Sequence, residues 1–459
     1  MPEFEKNLTR GSVAKNLILF SLPFVLSNFI QSLYGVADMI IIGNFTPVAT
    51  LNGVTNATQL IILFTNAVIG LSLGGTVLVG QYLGAGNKKE LKSTIGTMFT
   101  ALLIIAVALT AIAPFIAKPL LTLMRVHPES MKDGVIYFIT CMSGTVFVFM
   151  YNALAGVLRG LGDAKHPMVF VSIAAVTNIV LDLLFIAVFK WGAFGAALAT
   201  IISQAFSVIL SAVYLVKHNF VFDFKLSSFK IHTDKLKLMF KIGLPTLINN
   251  VSVSVSFVFL TSIANIINPV AGGGIVGVVG RYNGFAILPA IGMSSSISAM
   301  VAQNFGAGDL ERVKKTHRIG TLIAMSVTLV VFALTMLFPA QILKVFGGDD
   351  EFIALGKGYI TMFAFDYITV PLQFCFSGLF IGTGHTMFSL ISGMASSILF
   401  RIPACYLLGI TFGLGLKGLG MGAPIASLAA TTISLVFYLT GRWKKKTVRV
   451  HSEVEPVLE

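Results

Sequence analysis

Long apolar runs, separated by short polar segments, fill the chain from residue 16 to residue 441. A helix needs about 20 apolar residues to cross a bilayer, because it rises about 1.5 Å per residue. The runs are this long, so the pattern predicts twelve transmembrane helices. The predicted spans are residues 16–43, 50–80, 93–117, 134–158, 166–190, 193–216, 241–268, 275–303, 317–343, 355–381, 386–411 and 418–441.

The basic residues of the connecting segments favour one side of the predicted membrane. Lys and Arg cluster at residues 6–15, 88–92, 217–241 and 312–318 and in the tail from residue 442, all on the side of the N-terminus. Cytoplasmic loops of membrane proteins carry such an excess of basic residues. We therefore expect a multi-pass protein of the plasma membrane with both termini in the cytoplasm.

Composition supports the membrane interpretation. Of the 459 residues, 56% are hydrophobic and only 11% are charged, whereas soluble proteins have about 25% charged residues. The net charge of +13 could indicate a nucleic-acid partner, but the charges lie in short loops and in the tail. The expected partners are therefore membrane lipid and small molecules, and not nucleic acid.

The sequence repeats itself at one fixed offset. Leu22-Pro23 recurs as Leu244-Pro245, and the loop of residues 81–86 (QYLGAG) recurs at residues 303–308 (QNFGAG). Three glycines recur at the same offset: Gly156, Gly160 and Gly162 correspond to Gly378, Gly382 and Gly384. The residues that follow the two loops, Asn87 and Asp309, are predicted to cap the next helices.

The repeat predicts two lobes of six helices each. The predicted boundaries are an N-terminal lobe at 1–216, a cytoplasmic linker at 217–240, a C-terminal lobe at 241–441 and a cytoplasmic tail at 442–459. Because six is even, the two copies insert with the same topology and form a parallel repeat. Duplicated bundles of this kind place a cavity between their halves, so the pattern favours transport.

Several motifs together resemble one family, the multidrug and toxic compound extrusion (MATE) transporters of prokaryotic type. They are the first-span pattern LP…QSLYxxxDxxxxG, the loop VGQYLGAGN, and the segments Leu158–Asp163, Thr177–Asp182 and Gly192–Thr200. The resemblance covers essentially the whole chain. It implies an all-α membrane protein with twelve helices in two lobes around a central cavity. It also implies export of amphipathic, often cationic compounds, driven by inward flow of Na⁺ or H⁺.

The resemblance places the cation-coupling site of the N-terminal lobe at Asp38, Asn178, Asp182 and Thr200. The predicted spans put all four at comparable depth in the outer half of the membrane, and Asn178 and Asp182 are one helical turn apart. Such oxygen-bearing groups can hold Na⁺ or share a proton. The structural alternative is a set of buried hydrogen bonds between helices, but two acids in a membrane cost roughly 5–7 kcal/mol.

Five further residues have assigned roles. Gln31, Tyr34 and Asn152 are predicted to line the substrate cavity, with a hydrogen bond between helices as the alternative for Asn152. Pro23 and Pro245 occupy equivalent places in the two halves. They are predicted hinges, and a static kink is the alternative.

The second half departs from the family pattern. One branch of the family has a coupling Glu on the seventh span, and this sequence has no acid there. Asp366 lies in the tenth span, about one turn before the position that this branch prefers. Arg401 is expected mainly to be a structural partner for Asp366 or for backbone carbonyls, and secondarily a gate. The coupling site is therefore expected in the N-terminal lobe.

The sequence as a whole predicts a monomeric exporter without a cofactor, in which Na⁺ or H⁺ is the coupling ion. The alternative within transport is an exporter or flippase of lipid-linked glycans or other metabolites, from the same superfamily. A membrane-embedded transferase would need a paired His/Asp or carboxylate site at the interface. The seven histidines are scattered along the chain, so we do not expect an enzyme.

Overall fold

The computed structural model describes residues 4–218, 220–346 and 349–445, so most of the predicted cytoplasmic tail lies outside the described residues. Nine helices in the described ranges are long and apolar enough to cross a membrane. Three further pairs of helices bend by 49°, 44° and 41° at a short break, and each pair is long enough to be one span, which gives up to twelve. The α-helices are α1 (Val13–Phe45), α2 (Val48–Gly84), α3 (Lys88–Leu123), α4 (Pro128–Ser143), α5 (Thr145–Gly160), α6 (Lys165–Asp182), α7 (Gly192–Lys217), α8 (Thr233–Ile267), α9 (Gly272–Ala286), α10 (Leu288–Gly306), α11 (Leu310–Leu337), α12 (Pro339–Val345), α13 (Asp350–Ala364), α14 (Asp366–Gly382), α15 (Thr386–Met394), α16 (Ile402–Tyr406) and α17 (Gly415–Leu439).

The three bent pairs are α4 with α5, α9 with α10, and α13 with α14. Five shorter helical segments complete the described structure. Three segments are π-helical, Leu183–Val188, Ala395–Arg401 and Leu407–Thr411, and two are 3₁₀ turns, Leu226–Ser228 and Arg442–Lys444. The all-α membrane fold predicted from the apolar runs is therefore confirmed.

Many apolar side chains point outward, as a bilayer requires. Phe115 is 79% exposed, Leu123 is 80% exposed and Val258 is 67% exposed. A soluble surface rarely presents large apolar patches, because they would associate. Here the outward apolar side chains would be covered by lipid.

The short loops after α2 and α10 are built in the same way. Gly86 (φ 72°) and Gly308 (φ 82°) adopt the left-handed conformation that glycine accepts without strain. The next residues then cap the following helices. The Asn87 side chain accepts a bond from the Glu90 amide at 3.0 Å, and the Asp309 side chain accepts one from the Arg312 amide at 2.8 Å. Both predicted caps are confirmed.

Close helix packing also repeats between the two halves. A Cβ on Gly160 would lie 2.6 Å from the Thr76 carbonyl oxygen, and a Cβ on Gly382 would lie 2.6 Å from the Ser298 carbonyl oxygen. One turn before these carbonyls, Ser72 donates to the Asn152 carbonyl at 2.8 Å, as Ser294 does to the Phe374 carbonyl at 2.7 Å. The two sets of residues are related by the same offset as the repeated prolines, which confirms the internal repeat in three dimensions.

The described chain forms two compact units. Unit 1 contains residues 4–7 and 26–243, and unit 2 contains residues 8–25 and 244–445. These bounds differ from the predicted lobes in two ways. Residues 8–25, which the repeat assigns to the N-terminal lobe, pack in unit 2, and the predicted linker at 217–240 packs in unit 1.

Specific hydrogen bonds explain why the first segment packs in unit 2. The Leu8 amide donates to Gln303 Oε1 at 3.0 Å, and Arg312 Nη2 donates to the carbonyls of Leu8 and Arg10 at 3.2 and 2.9 Å. Apolar spans alone do not reveal these bonds, because they join loop backbone to side chains in the other half of the sequence.

Unit 1 holds the predicted linker by a second set of bonds. The His232 amide donates to Thr97 Oγ1 at 3.1 Å. Lys235, which is buried, donates to the Tyr82 hydroxyl at 2.9 Å and also pairs with Glu90. The segment is therefore a packed part of unit 1 and not a free connection.

The chain passes between the units inside helices and not in loops. In α1 the division falls between Val25 and Leu26, just after Pro23, and in α8 it falls between Gly243 and Leu244, just before Pro245. Both prolines therefore sit where a continuous helix leaves one unit for the other. Their hinge role stays a prediction.

Candidate functional site

The acid cluster of unit 1 is built by α1 and α6. Asn178 and Asp182 lie on one face of α6, one turn apart, and are 2% and 0% exposed. Asp38 lies near the end of α1, and its carboxyl group interacts directly with that of Asp182. Three of the four predicted coupling residues therefore meet in the structure.

Most polar atoms of this cluster lack a hydrogen-bond partner within the described protein. They are Asp38 Oδ1, both carboxyl oxygens of Asp182 and both polar atoms of the Asn178 amide, and all of them are buried. Buried polar atoms in proteins are almost always bonded, because an unmet bond costs about 1–3 kcal/mol. The cluster is therefore arranged to be completed by something other than the protein.

The chemistry of the cluster fits a small hard cation. Carboxylate and amide oxygens are the ligands that such cations prefer, and two neighbouring carboxylates repel each other until a positive charge joins them. A proton shared between the two carboxyl groups would relieve the same repulsion. The residues present thus suit either Na⁺ or H⁺.

The backbone changes its hydrogen-bond pattern directly after Asp182. The helix continues as a π-helical segment, Leu183–Val188, and the Phe189 amide donates to the Leu184 carbonyl five residues back at 2.9 Å. Short π segments inside α-helices frequently occur at functional sites. Here the π segment sets how the residues after Asp182 are rotated about the helix axis relative to Asp182.

Two polar residues beside the acids were missed by sequence reasoning. Tyr137 on α4 interacts with Asp38, and Cys141, one turn later on the same face, interacts with both Asp38 and Asp182. Tyr34, predicted for the substrate cavity, also lies near Asp38. The spacing of Tyr137 and Cys141 inside an apolar span was the signal that could have identified them.

The other predicted residues are placed differently. The Thr200 hydroxyl donates to the Ala196 carbonyl at 3.1 Å, and the Asn152 amide donates to the Val148 carbonyl at 2.8 Å, each within its own helix. Gln31 is exposed on α1. These described contacts do not join Thr200, Asn152 or Gln31 to the acids, so their roles stay predictions.

Unit 2 has a polar cluster of different construction. Asp366 begins α14 directly after the bend of the α13–α14 pair and is 3% exposed. Its Oδ1 accepts a bond from the Ser427 hydroxyl at 2.5 Å and one from the Thr369 hydroxyl at 3.4 Å. Its carboxyl group therefore accepts hydrogen bonds from protein hydroxyl groups, unlike the carboxyl groups of the acid cluster in unit 1.

Arg401 lies close enough to Asp366 for electrostatic attraction, as the sequence predicted. Among the described residues, however, the two side chains form no ion pair within 4.0 Å. The guanidinium carbon lies 5.4 Å from the ring centre of Phe257, and Nε and Nη1 are buried without a hydrogen-bond partner in the described structure. A second arginine within a span, Arg281 on α9, is exposed.

Many apolar spans with buried acids among them are typical of multi-pass membrane transporters, in which such acids mark ion and substrate pathways. Residues 23–184 and 245–407 each match the MatE family model, together more than half of the chain. The chain therefore belongs to the MatE family. The two matches begin at Pro23 and Pro245, which are equivalent positions of the repeat.

Similar proteins support this assignment over nearly the full length. The chain is 29% identical over 443 residues to the probable multidrug resistance protein YpnP of Bacillus subtilis, which covers 95% of this chain and 97% of the relative. It is 27% identical over 455 residues to the probable multidrug resistance protein NorM of Thermotoga maritima, with 96% of each chain covered. An outward-facing structure of a multidrug resistance MATE transporter of the MOP superfamily has the same fold, with a TM-score of 0.88 at 24% identity over 95% of this chain and 98% of that one.

Proposed function

We propose that this protein exports amphipathic, cationic organic compounds across the plasma membrane in exchange for Na⁺ or H⁺. The observation that carries the proposal is the buried cluster of Asp38, Asn178 and Asp182, most of whose polar atoms lack partners in the described structure. The relatives are named as probable multidrug resistance proteins, which supports the export of drugs. With the termini in the cytoplasm, the coupling ion enters and the compound leaves.

The cluster couples the two movements through charge. Without a cation, Asp38 and Asp182 place two like charges side by side in a poorly hydrated site, which is unfavourable. A bound Na⁺ or proton removes much of that cost, so the ion-loaded and ion-free proteins favour different conformations. A cationic substrate is attracted by the same negative charge, so ion and substrate bind in turn.

Alternating access then requires that the helices bearing the cluster move. Pro23 and Pro245 are the proposed hinges, because each lies where a continuous helix leaves one compact unit for the other. A proline removes one backbone hydrogen bond and so allows the helix to bend there. Tyr34, which lies beside Asp38, is the cavity residue most closely linked to the ion.

The test is ethidium export by the purified protein in proteoliposomes, with a Na⁺ gradient and a pH gradient imposed separately. Export that follows the Na⁺ gradient alone supports a sodium site at Asp38, Asn178, Asp182 and Thr200. Export that follows the pH gradient alone supports a proton shared by the two carboxyl groups. Absence of export under both gradients would contradict the proposal and favour an exporter of lipid-linked glycans or other metabolites.

A further inference from the structure

We infer that unit 2 holds a second ligand site, in which Arg401 binds the carboxylate of an anionic or zwitterionic organic substrate. The inference rests on the proposed export function and adds a substrate class to it. It starts from the difference between the two buried clusters, because unit 1 leaves acceptor atoms without partners and unit 2 leaves the donor atoms of a guanidinium without partners in the described structure.

The guanidinium of Arg401 is costly as the structure leaves it. It lies within a span, and its Nε and Nη1 atoms are buried. An arginine within a membrane span is costly, and its N–H groups need acceptors.

Asp366 does not supply the missing acceptors. Its carboxyl group is engaged by the hydroxyls of Ser427 and Thr369 and forms no ion pair within 4.0 Å of Arg401 in the described structure. Asp366 is therefore near enough to Arg401 for electrostatic attraction, but it does not bond to it. Nε and Nη1 of the guanidinium remain without acceptors in the described structure.

The surroundings of Arg401 select the chemistry of that group. A planar carboxylate is the natural partner of a guanidinium, because both present matching flat arrays of donors and acceptors. The guanidinium lies over the ring of Phe257, with its carbon 5.4 Å from the ring centre, and this cation–π contact holds it in place. The site thus fits the carboxylate of an organic ligand.

Unit 2 does not repeat the acid cluster of unit 1. The positions that the repeat aligns with Asp38 and Asp182 are Leu260 and Ala404. The polar cluster of Asp366 and Arg401 is therefore not a second copy of the coupling site. The two units share a fold and differ in the charge that they offer to a ligand.

The experiment compares two probes that differ only at the carboxyl group, the fluoroquinolone norfloxacin and its methyl ester. Their affinities for the full-length protein in nanodiscs are measured for the wild type, for Arg401→Gln and for Arg401→Lys. The wild type is expected to bind the acid about tenfold more tightly than the ester, as a charge-assisted hydrogen bond allows. Arg401→Gln should bring that ratio close to one. Arg401→Lys keeps the positive charge but loses the planar guanidinium, so it should give an intermediate ratio of acid to ester affinity. If Arg401→Gln does not fold, the ratio measured for Arg401→Lys tests the inference.

The matched control is Arg281→Gln, which removes the same side chain from an exposed position in the same unit. It should leave the ratio of acid to ester unchanged. The inference is overturned if the wild type binds acid and ester equally, if Arg401→Gln weakens both probes to the same extent, or if Arg281→Gln is the variant that removes the preference. Wild-type protein that exports neither probe nor ethidium would instead contradict the proposed export function.

Discussion

Units 1 and 2 are built on one packing plan and differ in the charged groups whose buried atoms lack partners in the described structure. In both, a serine bonds the backbone of a neighbouring helix and a glycine allows the helices to touch, at equivalent positions of the repeat. In unit 1 the buried atoms without partners in the described structure include acid oxygens, and in unit 2 they include guanidinium nitrogens. The difference shows that the duplicated scaffold fixes the helices and leaves the charged positions free to specialise.

The largest expected effect on export comes from removing the acids of unit 1, Asp38 and Asp182. Asp38→Asn and Asp182→Asn each remove a negative charge from a pair whose buried oxygens are left for an ion, so gradient-driven ethidium export should fall by about a hundredfold or more. Export is measured in proteoliposomes with both gradients imposed. The control Asp350→Asn changes an exposed acid at the start of α13 and should keep export normal. Export at the wild-type rate in both acid variants would show that the pair is only structural.

Alanine at either of the equivalent glycines tests the shared packing. Gly160→Ala and Gly382→Ala each place a Cβ 2.6 Å from a carbonyl oxygen of the neighbouring helix, so each should lower the free energy of unfolding by about 3 kcal/mol. Thermal unfolding in detergent measures the change. Gly277→Ala, whose Cβ would meet no atom within 4 Å, should be neutral or slightly stabilising. Unequal losses at the two equivalent glycines would contradict the shared plan.

Two hydroxyl deletions sharpen the difference between the polar clusters. Ser427 donates to the buried Asp366 carboxyl group at 2.5 Å. Ser427→Ala should therefore cost about 2 kcal/mol of stability. Thr200→Ala removes a bond to its own helix and should cost less than about 1 kcal/mol. The same thermal unfolding assay compares them, and an equal loss in both variants would mean that the two clusters are alike.

The smallest expected effect concerns the loop between α5 and α6. Burial alone would raise the pKa of Asp163, but its bonds to His166 and the charge of Lys6, whose Nζ lies 3.5 Å away, hold the pKa below its usual value. The stabilisation is therefore present above about pH 4, the ordinary value, and is lost as the pH falls through the lower folded value. The melting temperatures of wild type and Asp163→Asn should differ at neutral pH and converge in acid. Curves that stay parallel down to the lowest pH would contradict this. The repeat aligns Asp163 with position 385 of unit 2, which is a histidine and not an acid.

Sequence reasoning predicted those features that depend on local pattern. The length of the apolar runs identified the spans, and the fixed offset identified the repeat, because each depends only on the order of residues in the sequence. Asp38, Asn178 and Asp182 were placed together by the family resemblance, and the cost of two acids in a membrane favoured a functional role for them. The caps at Asn87 and Asp309 followed from residue type and position.

Features that depend on contacts between distant segments could not be predicted. Tyr137 and Cys141 lie beside the acids because α4 packs in unit 1, and their spacing within an apolar span shows that they share a face but not which helix that face contacts. The π segment after Asp182 and the one that ends at Arg401 reflect packing and not propensity. The assignment of residues 8–25 to unit 2 depends on bonds from Gln303 and Arg312.

The most direct test of the account is the reciprocal ion flux. Ethidium moving down its own gradient through the reconstituted protein should drive Na⁺ or H⁺ in the opposite direction, because one negative cluster serves both. The account predicts this flux in the wild type and in Asp366→Asn, and none in Asp182→Asn. An ion flux that persists in Asp182→Asn, or one that vanishes in Asp366→Asn, would contradict the placement of coupling in unit 1.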